Sequence, residues 1–179
     1  MSDPWSEEYE IAIAANDKTV VALETIELHH SAIVENGVRT AVRAVNDTRD
    51  WRFRLEVDAP LNGGEDVDFT AIPFTWGYPS VAEGQAPQAD LRVDNVEREM
   101  EPYLDAIETS FEPIVVIYRV FLSNRGTVVD KGPFRFVLKE IATDNGSVSG
   151  KVEIASPQNL KFGTRVYSAD EFASLIQTS

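Results

Sequence analysis

His29 and His30 are the only histidines of the chain, and histidine is the side chain best suited to acid–base or metal chemistry near neutral pH. They are adjacent in a segment with a period of two, so a strand would point them to opposite faces. One metal ion could not readily take both imidazoles. We therefore expect one histidine at a strand end and the other at an interface, with a zinc ligand or a general base as the alternative.

Two further patterns resemble chemical motifs but depart from them. The segment 146–151 resembles a phosphate-binding loop, but it is one residue short and Val152 follows where that loop has Ser or Thr. The acidic pair Asp66 and Asp68 does not follow the order of a calcium-binding loop. No Gly-x-Ser-x-Gly elbow supports a serine nucleophile. We expect a non-enzymatic protein with no catalytic, metal-binding or cofactor-binding residues.

Composition narrows the class of protein further. The 179 residues include no cysteine, which excludes disulfides, thiolate metal sites and a cysteine nucleophile. The net charge of −14 argues against a nucleic-acid surface, which needs clustered Lys and Arg. No apolar run is long enough to span a membrane, and the acidic N-terminus is unlike a signal peptide. We expect a protein that is made in the cytoplasm of its host, with no membrane anchor and no specific nucleic acid.

The pattern of elements predicts one mainly β domain over residues 1–179. We expect an N-terminal helix in 1–17, and an antiparallel β-sandwich or barrel over 18–167 with a flanking helix at 95–110. A short helix is expected at 168–179. Parallel βαβ alternation is missing from the pattern.

The helix signals are capping residues followed by apolar residues at helical spacing. Asp3 and Pro4 are typical of a helix start, and Trp5, Tyr9, Ala12 and Ile13 follow at that spacing. Asp94 and Asn95 are a natural cap for the mid-chain helix.

The strand signals are seven or eight segments with a period of two. The most apolar of them, 114–122, is broken only by Arg119 and predicts a central buried strand. Segment 51–58 alternates apolar with charged residues, which indicates one buried face. Asn145 and Gly146 between two strand patterns predict a hairpin.

A long loop at 77–89 is a candidate docking segment, since loops of about 12 residues or more in compact domains often bind partners. Aromatic residues suit the core of an interface. The candidate interface residues are Trp76, Tyr78, Pro79, Trp5 and Tyr9. Packing of Trp76 and Tyr78 over the end of the sandwich is the alternative.

Several segments, in this order, resemble an uncharacterised family of siphophage proteins encoded in tail modules, downstream of the tape-measure gene. The resemblance covers nearly the whole chain. Its segments are 20–30, 43–47, 55–56 with 59–60, 69–74, 93–99, 118–119 and 162–172. The family is similar to distal-tail and baseplate hub proteins.

That resemblance implies a tail-tube-like fold that assembles into closed rings, with a hexamer favoured and a trimer as the alternative. The implied function is a structural component of a phage tail tip or baseplate, a distal-tail-type adaptor that joins the tail tube to the hub or fibres. The implied partners are the chain itself, the tail tube protein, the tape-measure protein and the hub or central fibre protein. Strand edges at 51–58 and 114–122 and the loop 77–89 would provide the lateral surfaces.

Four alternatives are open, the first of them structural like the leading hypothesis and the other three from other classes. They are a baseplate hub subunit, a tail-assembly chaperone absent from the mature virion, a glycan- or receptor-binding module using Trp51, Trp76 and Tyr78, and a hydrolase using one histidine. Lack of an iron–sulfur cluster, which needs cysteines, favours the distal-tail position over the hub.

Overall fold

The elements of the protein are given by a computed structural model, which describes residues 5–15, 19–77, 88–94, 103, 107, 110, 112–126, 128–144 and 147–154. The helix α1 spans Glu7–Ala15. Strands β1 to β11 span Ala22–His29, Val34–Glu35, Val38–Arg39, Val42–Val45, Trp51–Arg54, Asp66–Ala71, Phe74–Trp76, Gln88–Val93, Ile114–Leu122, Lys131–Asp144 and Ser147–Ile154.

Nine of the strands form one mixed sheet in the order β5-β6-β4-β1-β9-β10-β11-β8-β7. All of its neighbouring pairs are antiparallel except β4 and β6, which are parallel. The mainly β prediction is confirmed. The order ends at β5 and β7, which do not pair with each other, so the described strands form no closed barrel.

The sheet is built around the pair β1 and β9, which run antiparallel from Ala22 opposite Leu122 to His29 opposite Val115. The expectation of a central buried strand at 114–122 is confirmed. The expectation that this segment offers a free edge is wrong, because β9 pairs with β1 on one side and with β10 on the other. Strand β5 does lie at one end of the sheet, and its Arg54 amide donates to the Gly126 carbonyl at 3.1 Å.

Both faces of the central strands are buried, because neighbouring residues of a strand point to opposite faces. A larger apolar core on one face includes Ile26 and Tyr118. A smaller core on the other face consists of Leu23, Val45, Phe53, Leu55, Val67, Phe69 and Phe121. The Phe53 ring stacks on Phe121 of β9 with centroids 4.2 Å apart, so β5 and β6 fold over this face as a second layer.

Strands β2 and β3 form a separate hairpin outside the main sheet. Asn36 and Gly37 connect them with φ values of 50° and 79°, the left-handed conformations that a two-residue hairpin turn requires. The predicted hairpin at 145–146 is also formed, since Asp144 pairs with Ser147, although the two turn residues lie outside the described residues.

The structure corrects the start of the N-terminal helix. Helix α1 begins at Glu7, and the Ser6 hydroxyl accepts a hydrogen bond from the Tyr9 amide at 3.1 Å, as an N-cap does. Trp5 precedes the helix and forms a bridge with Lys131. The predicted cap at Asp3 and Pro4 lies outside the described residues.

Two other expectations fall partly or wholly outside the described residues. Of the helix at 95–110, Tyr103 and Ile107 are described; both are helical, and Ile107 is buried in the larger core. The predicted C-terminal helix at 168–179 lies outside. The loop expected at 77–89 ends earlier than expected, because β8 begins at Gln88.

Candidate interaction surfaces and a buried charge cluster

Trp5 and Tyr9, two of the candidate interface residues, lie together at the start of α1. Their ring centroids are 5.6 Å apart in an edge-to-face arrangement. Tyr9 is buried in the larger core, whereas Trp5 remains 42% exposed. The Lys131 ammonium lies 4.5 Å from the Trp5 centroid, a cation–π distance. Trp5 is therefore the member of this pair that a partner could reach.

Trp76, the third candidate, lies on β7 and packs against the larger core. Its ring stacks on Tyr118 with centroids 5.0 Å apart and meets Phe136 edge-on at 4.9 Å. Much of the Trp76 ring is therefore covered by contacts within the subunit. Tyr78 and Pro79 lie outside the described residues, and an interface formed by all five residues stays a prediction.

Hydrogen bonds of Asp130 connect helix α1 to the sheet, and the side chain of Asp130 is fully buried. One carboxylate oxygen of Asp130 accepts from the Ser6 hydroxyl at 2.9 Å, and the other accepts from the Leu122 amide at 2.8 Å. Arg125 lies 3.3 Å from Asp130 and 2.8 Å from Glu8 of α1. One buried acid therefore joins the helix cap, β9 and the turn that follows β9.

Exposed apolar side chains are scattered over the described chain, and those on α1 and on the β2–β3 hairpin are four of them. On α1 these are Ile11 and Ile13, and on the β2–β3 hairpin they are Val34 and Val38. A shallow groove of about 220 Å³ runs beside α1 and is lined by Glu8, Ile11, Ala12, Val20, Leu122 and Arg125, among others.

A cluster of charged side chains is buried between the sheet and the segment that follows β5. Glu27 of β1 and Arg119 of β9 are both fully buried and form an ion pair. Arg119 also makes a two-point contact with Glu56, at 2.8 and 2.6 Å. Arg43 of β4 donates to Glu27 at 2.8 Å. Two acids and two guanidinium groups therefore balance in charge.

This balance keeps Glu27 ionised in spite of its burial. Burial alone would raise the pKa of the carboxyl, but His29 and the guanidinium groups of Arg119 and Arg43 act in the opposite direction and lower it to about 2. His29 Nε2 is 3.7 Å from the Glu27 carboxylate, beyond hydrogen-bond distance, so the two guanidinium groups are the direct partners. The cluster is a permanent charge network at neutral pH.

The two histidines have different surroundings. His29 faces the charge cluster and is buried. His30 Nδ1 accepts from the Ala32 amide at 3.0 Å, and its Nε2 lies 3.2 Å from the Glu112 carbonyl. Within the described ranges, no group of three or more His, Cys, Asp or Glu side chains is placed to hold a metal ion. No helix in the part of the chain that the structure describes is long and apolar enough to cross a membrane.

The charge cluster was not predicted from the sequence, although one signal pointed to it. Arg119 interrupts the most apolar run of the chain, and a charge in a buried strand requires a buried partner. Its partners Glu27 and Glu56 are 92 and 63 residues away, so sequence spacing does not identify them. All four charged residues belong to segments that carry the resemblance: 20–30, 43–47, 55–56 and 118–119.

No curated protein matches this chain. The model of DUF1833, described as a domain of unknown function, matches residues 9–167, which include the charge cluster and most of α1. The match spans well over half of the 179 residues. The chain therefore belongs to the DUF1833 family.

Proposed function

We propose that the protein is a non-enzymatic structural component of a bacteriophage tail tip or baseplate, a distal-tail-type adaptor that forms a closed ring. In this function it is made in the host cytoplasm and resides in the virion tail. It joins the tail tube to the hub or fibres and adjoins the tape-measure protein. The hexamer is favoured and the trimer of a hub is the alternative.

The observation that carries the proposal is that α1 and the β2–β3 hairpin, two unlike elements of one mainly β subunit, each expose apolar side chains. A ring subunit contacts its two neighbours through different surfaces, because a head-to-tail contact closes by rotation. On α1 the exposed residues are Ile11 and Ile13, and on the β2–β3 hairpin they are Val34 and Val38, one on each face of the hairpin. Neither surface resembles the other, as a head-to-tail contact requires.

The interior of the subunit supports a scaffold role. The central strands are buried on both faces, and the Glu27–Arg119–Glu56 cluster joins strands β1 and β9 to the segment after β5. A buried network with its charges paired favours one defined arrangement of the strands. A ring requires such a subunit, because each copy must present the same surfaces.

The glycan-binding alternative is weakened by the surroundings of its aromatic residues. The Arg49 guanidinium lies 3.9 Å from the Trp51 centroid, and the Trp51 ring stacks against Phe53. Its indole N–H donates to Asp47 at 2.5 Å. Trp76 is packed on Tyr118 and Phe136. A sugar platform needs an open ring face, which these contacts largely occupy.

The proposal is tested by comparing purified virions with the infected lysate on quantitative blots. A tail-tip component is present in particles at a fixed copy number after stringent purification. A tail-assembly chaperone is abundant in the lysate and absent from particles, and that result would overturn the proposal. A copy number that is a multiple of six supports the distal-tail ring, and three copies support the hub.

A further inference from the structure

The chain contains three Asn-Gly pairs, at 36–37, 62–63 and 145–146. An asparagine before glycine readily loses its side-chain amide, because glycine has no side chain to shield its own backbone nitrogen. The pair 145–146 lies outside the described residues. In the other two pairs the asparagine is exposed and has a positive φ, 50° for Asn36 and 56° for Asn62. Exposure and φ therefore do not distinguish these two sites.

The side-chain amide of Asn62 is held at both ends. Its oxygen accepts a hydrogen bond from Arg43 at 2.9 Å, and its nitrogen donates to Glu65 at 2.8 Å. Arg43 is itself held in the buried charge cluster. Gly63 lies so close to the Val57 carbonyl that a Cβ added there would strike it. These contacts prevent the amide carbon of Asn62 from turning towards the Gly63 nitrogen.

Asn36 has none of these restraints. Within the described residues, no hydrogen bond holds its side-chain amide. A Cβ added at Gly37 would meet no atom within 4 Å, so the Gly37 nitrogen is open to approach. The hairpin around this turn has only two residue pairs and lies outside the main sheet. A ribbon this short opens easily, which permits the backbone rotation that the reaction needs.

We infer that Asn36 is a site of spontaneous deamidation and that Asn62 is protected from the same reaction. The Gly37 amide nitrogen attacks the side-chain carbonyl carbon of Asn36 and forms a C–N bond. The bond from that carbon to the side-chain nitrogen breaks, and this nitrogen leaves as ammonia with the proton of the Gly37 amide. The product is a five-membered succinimide ring, which one water molecule then opens.

The opened ring gives two products, and both add a negative charge to the turn. Opening at the side-chain carbonyl gives aspartate, whereas opening at the backbone carbonyl gives isoaspartate, in which the main chain continues through the side chain. Isoaspartate lengthens the backbone of the turn by one methylene. Because a two-residue turn fixes the register of its hairpin, the pairing of Glu35 with Val38 is lost in this product.

Peptide mapping by mass spectrometry tests this assignment on the full, folded chain. The protein is incubated in warm, mildly alkaline buffer and digested at intervals, and the asparagine, aspartate and isoaspartate forms of each peptide are separated by chromatography. Deamidation at Asn36 is expected to be about tenfold faster than at Asn62, a difference in barrier of about 1.4 kcal/mol. In urea-unfolded protein the two sites should react at similar rates, since both precede glycine.

Glu65→Ala tests the protection of Asn62, because it removes the acceptor of the Asn62 side-chain nitrogen at an exposed position. Deamidation at Asn62 should accelerate in this variant, whereas the rate at Asn36 should not change. Circular dichroism verifies that the variant is folded. Equal rates at both sites of the folded wild type would overturn the inference. The same excess at Asn36 in urea would also overturn it, because local sequence and not the fold would then set the rates.

Discussion

Arg119 is the central cation of the buried charge cluster. It is fully buried, and its guanidinium contacts both Glu27 and Glu56. Burial acts to lower the pKa of Arg119, but the hydrogen bond with Glu56 and the charges of both acids outweigh it and raise the pKa. Removing this guanidinium would leave two acids in a region from which water is excluded.

Arg119→Met is therefore expected to lower the free energy of unfolding by about 3–5 kcal/mol, the cost of breaking a buried ion pair from one side. Arg52→Met is the matched control, because Arg52 and its partner Asp68 are both largely exposed. The control should change that free energy by less than about 0.5 kcal/mol. Urea denaturation measures both, and equal losses would contradict a special role for Arg119.

The lowered pKa of Glu27 predicts a loss of stability in acid. Its pKa is about 2 in the folded protein against 4.5 for the unperturbed group. A group with a lowered folded pKa stabilises the fold fully above the unfolded pKa, and this contribution disappears as pH falls from 4.5 towards 2. The contribution is about 3 kcal/mol.

Comparison with Glu27→Gln isolates this contribution, because other acids titrate in the same range. The pKa of Asp47, for example, is lowered by the hydrogen bond from the Trp51 indole. The free energy of unfolding of the wild type should fall more steeply than that of the variant between pH 4.5 and 2. Parallel curves would show that Glu27 is not held ionised by its neighbours.

At the scale of elements, the β5–β6 hairpin is attached to the central strands mainly through the smaller core. Phe53 is fully buried and stacks on Phe121. Phe53→Ala is expected to cost about 3–5 kcal/mol, since it removes a ring and leaves a cavity. Val57→Ala, at an exposed site of the following segment, should have little effect on urea denaturation. A small loss for Phe53→Ala would mean that the hairpin is held by its backbone pairing instead.

Helix α1 is held by Asp130, and its attachment can be tested separately from the sheet. Asp130→Ala removes the acceptor of the Ser6 hydroxyl and of the buried Leu122 amide, at an expected cost of about 1–3 kcal/mol. Hydrogen exchange in 7–15 should accelerate more than exchange in β10 and β11. Asp68→Ala is the exposed control. Uniform acceleration in all elements would contradict a local role.

Local patterns predicted the elements better than their arrangement. The period of two identified β1 and β5, and the apolar run at 114–122 identified β9. Asn145 with Gly146 identified the hairpin between β10 and β11. These signals depend on neighbouring residues. The short hairpin at 34–39 and the start of α1 at Glu7 were missed. The hairpin and the helix start each involve only a few residues. Contacts with distant segments decide which conformation those residues adopt.

The charge cluster also could not be predicted from local patterns. Arg119 was visible as an interruption of an apolar run, but its partners are set by the order of β4, β1 and β9 in the sheet. That order also makes β9 an interior strand, which removes it as a lateral edge. Pairing between segments that are distant in sequence cannot be predicted from the local pattern of residues.

At the scale of the whole molecule, a tightly paired interior is combined with scattered exposed apolar side chains and a net charge of −14. Like charges keep free copies apart, so association requires specific contacts that outweigh repulsion. The exposed apolar residues of α1 and of the β2–β3 hairpin are candidates for such contacts. The DUF1833 match covers residues 9–167, and the role proposed for the chain is in the tail tip.

Immunogold labelling of purified virions tests that role most directly. Antibodies against the chain, with particles lacking its gene as the control, should place gold at the tip of the tail. Label along the whole tail, label on the head, or no label above the control would contradict the account.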